Sequence, residues 1–285
     1  MITLQDAVWV RRLTVLLVFL GLAGCGVWPP DSRSASPSPS PSASPLPPDQ
    51  LVFLVQGGVG GFTPYFHQAM ITPSLAVYGD GRVIQHADRE QAPDVPAAYV
   101  LSRVSPQLVA TFAAETEARN LITAETDFGD PAVTDMPSTT VHFHGAGSLH
   151  RISVYAFGKG FDDDLTASER RARQELAEVI RRGSTLPGDS RRLPYSPDRV
   201  QVTEFAPERA GNTPAAKWPG PDPGSFLKRV APRSARSACG ELSGKAAKTA
   251  YAAARQNPGG IWAYAGKRRA FAVVPVLPGL EACPG

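Results

Sequence analysis

Between Pro29 and Pro48 the chain is almost entirely proline and serine, including the run Ser36-Pro37-Ser38-Pro39-Ser40-Pro41. This stretch limits the fold more than any other, because it lacks the apolar side chains whose burial offsets the entropy lost on ordering. Its prolines favour an extended backbone, and at about 3.1 Å per residue it reaches roughly 60 Å. A core must therefore come from residues 51–285. The chain of 285 residues is 42% hydrophobic, 19% charged and 8% aromatic, which excludes a polytopic membrane protein, a coiled coil and a wholly disordered chain.

Ahead of the Pro/Ser stretch lies a targeting segment. Arg11 and Arg12 precede the apolar run Leu13–Leu22, which ends in Leu22-Ala23-Gly24-Cys25. A basic region, a short apolar run and small residues describe a secretory signal, too short for the roughly 20 residues a spanning helix needs. Leu-Ala-Gly-Cys resembles the lipobox of bacterial lipoproteins. That resemblance implies a diacylglycerol on the Cys25 thiol and cleavage just before it. Residues 1–24 are then a signal peptide, and residues 25–50 a lipidated cysteine with a disordered tether. The expected location is the extracytoplasmic face of the cell membrane.

The net charge of +3 hides two unlike halves and gives no footing for nucleic acid. Residues 51–190 carry 11 Lys/Arg against 17 Asp/Glu, whereas residues 191–285 carry 15 against 6. Both read as α+β: antiparallel hairpins packed with helices in an acidic N-terminal domain, then a smaller basic C-terminal domain. In the acidic half, Leu51–Val55 reads as a strand followed by the loop Gly57–Gly61. Leu75–Tyr78 and Arg82–Gln85 flank Asp80-Gly81 as a two-residue hairpin. Ser105 and Pro106 open a helix with Leu108, Val109 and Phe112 on its apolar face. Thr140–His144 and Arg151–Tyr155 form a second hairpin. Thr166 and Glu169 have capping-box spacing for a helix that Ala172, Leu176, Val179 and Ile180 line and Gly183 ends. In the basic half, Val200 and Val202 alternate as in a strand, Ser243 caps an alanine-rich helix to about Gln256, and Ile261–Tyr264 pairs with Ala270–Val274 around Gly266-Lys267. With Cys25 lipidated, Cys239 and Cys283 remain as an even pair in an oxidising compartment and are expected to form a disulfide.

Chemistry-bearing patterns are sparse. His142 and His144 sit two apart in a strand, so both face one side and can begin a metal site, with His150 or Asp135 as a third ligand. Asp162-Asp163-Asp164 lacks the spacing and glycine of a calcium loop. Gly57–Gly61 follows a strand but has neither the dinucleotide nor the phosphate-loop spacing, and Thr63-Pro64 opens no obvious helix. Asp127-Phe128-Gly129 stands without any other kinase element, and there is no Gly-x-Ser-x-Gly. No cofactor is implied. Lys267-Arg268-Arg269, beside Trp262 and Tyr264, can hold an anionic wall polymer or headgroups.

The lipobox, the Pro/Ser tether, Val77-Tyr78-Gly79-Asp80-Gly81-Arg82-Val83 and Pro275-Val276-Leu277-Pro278 before Cys283 together resemble a group of actinobacterial lipoproteins. That resemblance implies an envelope location and brings no assigned activity. Residues 51–182 are also similar to emfourin-type protein inhibitors of metalloproteases, through Gly60-Gly61-Phe62 and the hairpin–helix order. The leading expectation is a lipid-anchored, non-catalytic binding module with an envelope or secreted protein, or a wall polymer, as partner. An inhibitor of a secreted metalloprotease and a metal-dependent envelope enzyme using His142 and His144 are the alternatives.

Overall fold

Leu51–Gly57 (β1) is apolar in all of its first five positions, and it becomes a central strand with neighbours on both sides. The structure, a computed structural model, describes residues 43–87, 92–158, 160–188, 191–206, 214–230 and 236–283. Cys25, the apolar run before it and most of the Pro/Ser stretch lie outside these residues. Among the described residues no helix is long and apolar enough to cross a membrane.

Seven strands form the first sheet in the order β6-β5-β1-β2-β3-β4-β7. They are β2 (Leu75–Tyr78), β3 (Arg82–His86), β4 (Tyr99–Arg103), β5 (Ser138–His144), β6 (Leu149–Tyr155) and β7 (Leu193–Tyr195), with β1. Every pairing in this sheet is antiparallel. Helices α2 (Pro106–Ala118) and α3 (Ala167–Ser184) cover one face. Val109, Phe112, Leu176 and Val179 there meet Phe53, Val77, Val141 and Val154 from the strands. Both caps follow the sequence: the Ser105 hydroxyl accepts from Leu108 N, and Thr166 and Glu169 complete a capping box.

Six strands form the second sheet, ordered β10-β11-β8-β13-β12-β9. These are β8 (Arg199–Phe205), β9 (Ala216–Lys217), β10 (Lys228–Arg229), β11 (Arg236–Ser243), β12 (Ile261–Tyr264) and β13 (Lys267–Pro275). Helix α5 (Gly244–Arg255) packs Ala247, Ala250 and Tyr251 on one face, with Trp218, Trp262 and Phe271. A short helix α4 (Pro223–Phe226) lies beside β11. Cys239 and Cys283 are disulfide-bonded, as the even pair leads one to expect.

The α+β class therefore holds, and the two halves interlock. Strand β7, past residue 190, completes the first sheet. Helix α1 (Tyr65–Ala69), from the acidic half, packs Phe66 and Met70 on the second sheet beside Phe205, Ile261 and Ala272. In return Leu277 covers Ala76, Tyr78, Ile84 and Tyr99 on the first sheet. The Tyr78 hydroxyl donates to Pro278 O at 3.0 Å, and Arg255 Nη1 donates to Pro96 O at 3.0 Å.

Four local expectations need correction. The first hairpin uses three residues, Gly79–Gly81, because Gly81 sits at φ +88° and a Cβ there would lie 2.0 Å from Val104 O. Gly183 does not end α3; its missing Cβ lets the helix close on the Phe53 and Phe112 rings. The last turn is Ala265-Gly266, both at positive φ, so Lys267 already belongs to β13. The tether also ends sooner than Gln50. Leu46 packs on the core, Gly79 N donates to Gln50 O, and Gln50 Nε2 donates to His144 O at 2.6 Å.

Candidate functional site

The loop after β1 is pinned by backbone contacts that only glycine permits. Gly58 N donates to Ser138 O at 2.6 Å, a Cβ on Gly60 would lie 2.1 Å from Asp135 O, and Gly61 has φ +54°. Pro64 sits at the N-terminus of α1, a helix that Thr63-Pro64 did not announce in the sequence. The Thr63 hydroxyl donates to Gly60 O, and Gln68 Nε2 donates to Thr63 O at 2.8 Å. On this fixed backbone large apolar side chains are left exposed: Val59 is 36% exposed, Phe62 100% and Tyr65 59%. They are three of the five large exposed apolar side chains among the described residues.

Behind this loop a pocket of about 500 Å3 opens between the first sheet and α1. Val55, Val59, Met70, Ile71 and Pro93 form its apolar wall, and Thr63, His67, Thr72, Ser74, His86 and Thr139 bring its polar groups. His67 Nε2 lies 2.6 Å from Asp94 Oδ1, fixing α1 to the segment before β4. His86 Nε2 is 3.2 Å from the Tyr99 hydroxyl and 3.5 Å from Thr72 Oγ1. Burial holds the His86 imidazole below its ordinary pKa of 6.5, against an opposing pull from the Pro73 carbonyl, so it is neutral at neutral pH. The Tyr99 hydroxyl donates to Pro73 O at 2.6 Å.

Of the residues the sequence singled out, the glycine loop alone is brought to this pocket. Gly60 lines it and Phe62 stands beside its lining residue Thr63. His142 and His144 do share a face of β5, but His142 pairs with Arg151, and burial followed by that guanidinium lowers its pKa. His150 pairs with Phe143 and so lies on the other face, and Asp135 abuts Gly61 instead. Among the described residues no three His, Cys, Asp or Glu side chains are grouped to hold a metal ion. The basic run is split by the strand period: Lys267 and Arg269 pair with Tyr264 and Trp262, while Arg268 faces the other way, beside Ala263, whose other neighbour is Lys217. Arg269 is bound to Glu204 at 3.0 Å, and Trp262 is buried.

His67, Thr72, His86, Asp94 and Tyr99 carry no motif, and sequence reasoning missed them. One signal was available. Extending the predicted β2–β3 hairpin by a single pair sets Ser74 against His86, whose N–H donates to Ser74 O at 3.0 Å. The chain matches no family model, no curated protein and no solved structure.

Proposed function

We propose that the protein is a lipid-anchored binding module on the outer face of the cytoplasmic membrane, and that residues 57–65 with the pocket behind them contact its partner. The observation carrying this reading is the exposure of Val59, Phe62 and Tyr65 on a loop whose glycines fix its backbone. Apolar side chains gathered on a stiff surface segment are the usual make-up of a recognition site, with aromatics as anchors.

Placement supports it as well. The described chain arrives beside Gly79–Gly81, then β1 runs seven residues, about 20 Å at strand rise, to the loop at the far end of the sheet. An entry point at one end of β1 and an apolar loop at the other suit a head that reaches away from the membrane. Two measurements test this. Labelled fatty acid should enter the protein through Cys25 and vanish in Cys25→Ala; label retained there overturns the anchor. A photo-crosslinker at position 62 should capture one dominant envelope or secreted protein, whereas only abundant neighbours at low yield would overturn the partner.

One observation favours a second reading. A wholly exposed Phe62 on a rigid loop is the form an inhibitor offers a protease pocket. That reading requires stoichiometric inhibition of a secreted metalloprotease, lost in Phe62→Ala. A metal-dependent reaction at His142 and His144 is not carried forward, because His150 lies behind the sheet and Arg151 faces His142.

A further inference from the structure

Five of the pocket's polar side chains, Thr63, His67, Thr72, Ser74 and His86, have partners within the protein itself. The Thr63 hydroxyl proton goes to Gly60 O and that of Ser74 to Val55 O. His67 is held by Asp94, and His86 lies against Tyr99 and Thr72. A hydroxyl that has given its one proton keeps only lone pairs. Thr63 and Ser74 therefore face the pocket as acceptors.

Charge narrows the ligand further. Among the described residues the lining holds no Lys, Arg, Asp or Glu side chain. An ion moved into this space gives up its water with no counter-charge to replace it. The exposed wall is mostly carbon, to which Val55, Val59, Met70, Ile71, Pro93 and Pro137 contribute, and a volume of about 500 Å3 falls among small-molecule pockets. We infer that the pocket binds an uncharged, mainly apolar small molecule carrying one or a few hydrogen-bond donors, its apolar body against Val55, Met70 and Ile71 and its donor toward Thr63 or Ser74. The assignment rests on the binding-module reading and names the ligand class of that same site.

Three photoactivatable probes with one alkyl–diazirine body test it: a primary alcohol, a carboxylate and a quaternary ammonium. Each is offered to the full-length protein in phospholipid nanodiscs, and labelled peptides are mapped by mass spectrometry. The alcohol should label the peptides holding Thr63–Ser74 and Val55–Gly60 at least ten-fold more than either charged probe. Thr139→Trp puts an indole on the pocket wall at a half-buried strand position that suits aromatics, and should cut this labelling at least ten-fold. If that variant melts early, excess non-photoactive alcohol of the same body should suppress labelling of the native protein by the same factor. Equal labelling by all three probes, preference for a charged one, or indifference to both the indole and the competitor overturns the assignment.

The position-62 crosslinker is read in parallel, which keeps the two failures apart. Partner capture with an unlabelled pocket overturns the ligand assignment alone. A labelled pocket without capture sustains the ligand and overturns the partner.

Discussion

Arg173 ties α3 to two loops of the acidic half, and it is a cation buried to 2% exposure. Its guanidinium donates to four carbonyls: Phe128 O at 2.6 Å, Ala156 O at 3.0 Å, Gly129 O at 3.2 Å and Tyr155 O at 2.8 Å, with Asp162 Oδ1 at 3.6 Å. Arg173→Leu orphans these acceptors and should cost about 3–5 kcal/mol in urea unfolding. Arg173→Lys should rescue little, since an ammonium lacks the planar fork that reaches all four. His86 gives a second residue-scale prediction. Its folded pKa is depressed by burial, so below about pH 6.5 the unfolded chain takes the proton first and stability falls with pH until the folded pKa is passed. Above that window the contribution is fully present. The urea midpoint should drop between pH 7.5 and 5, and His86→Gln should flatten that slope; an unchanged slope would refute it. Neither residue stood out in the sequence. Asp127-Phe128-Gly129 stood without any other kinase element and Asp162–Asp164 without calcium-loop spacing, and nothing local says that a helix 45 residues on from Phe128 supplies the cation for both.

At the scale of elements the sequence was readable wherever period and caps agree. Strands β1, β2, β5 and β6 and helices α2 and α3 lie close to where apolar spacing and Ser or Thr caps put them, and α5 starts after Ser243 as expected although that hydroxyl makes no cap hydrogen bond. Helix α1 was invisible because it has five residues and no side-chain cap, and is held by burying Phe66 and Met70 against a sheet formed more than a hundred residues later. Gly183 was misread for a related reason. Glycine late in a helix signals a stop, but here it marks close packing, 3.2 Å from Phe53 and 3.3 Å from Phe112 for a Cβ placed there. Gly183→Ala should stay within about 1 kcal/mol of wild type, the gain in helix propensity offsetting the squeeze. Gly183→Leu should destabilise by about 1–3 kcal/mol through overpacking. Both are read from urea midpoints, and a leucine variant as stable as wild type would show the contact to be loose.

For the whole molecule, the disulfide and the exchanged segments act together. Cys239–Cys283 closes 44 residues, which the chain-entropy model values at about 4 kcal/mol. The double variant Cys239→Ala/Cys283→Ala should lose about 2–5 kcal/mol in chemical denaturation, and wild type treated with reductant should match it. The bond also fixes the segment that carries Leu277 onto the first sheet, because Cys283 N donates to Gln201 Oε1 at 2.7 Å just past it. This bears on the order of assembly. The Tyr78–Pro278 bond spans 200 residues, so the first sheet, although synthesised early, waits for the last part of the chain before Ala76, Tyr78, Ile84 and Tyr99 are covered. Contacts of such long range form slowly. On the proposed export, a chain crossing the membrane from its N-terminus would stand outside with a half-finished apolar face, and any product cut short before Leu277 would keep that face as a mark for degradation.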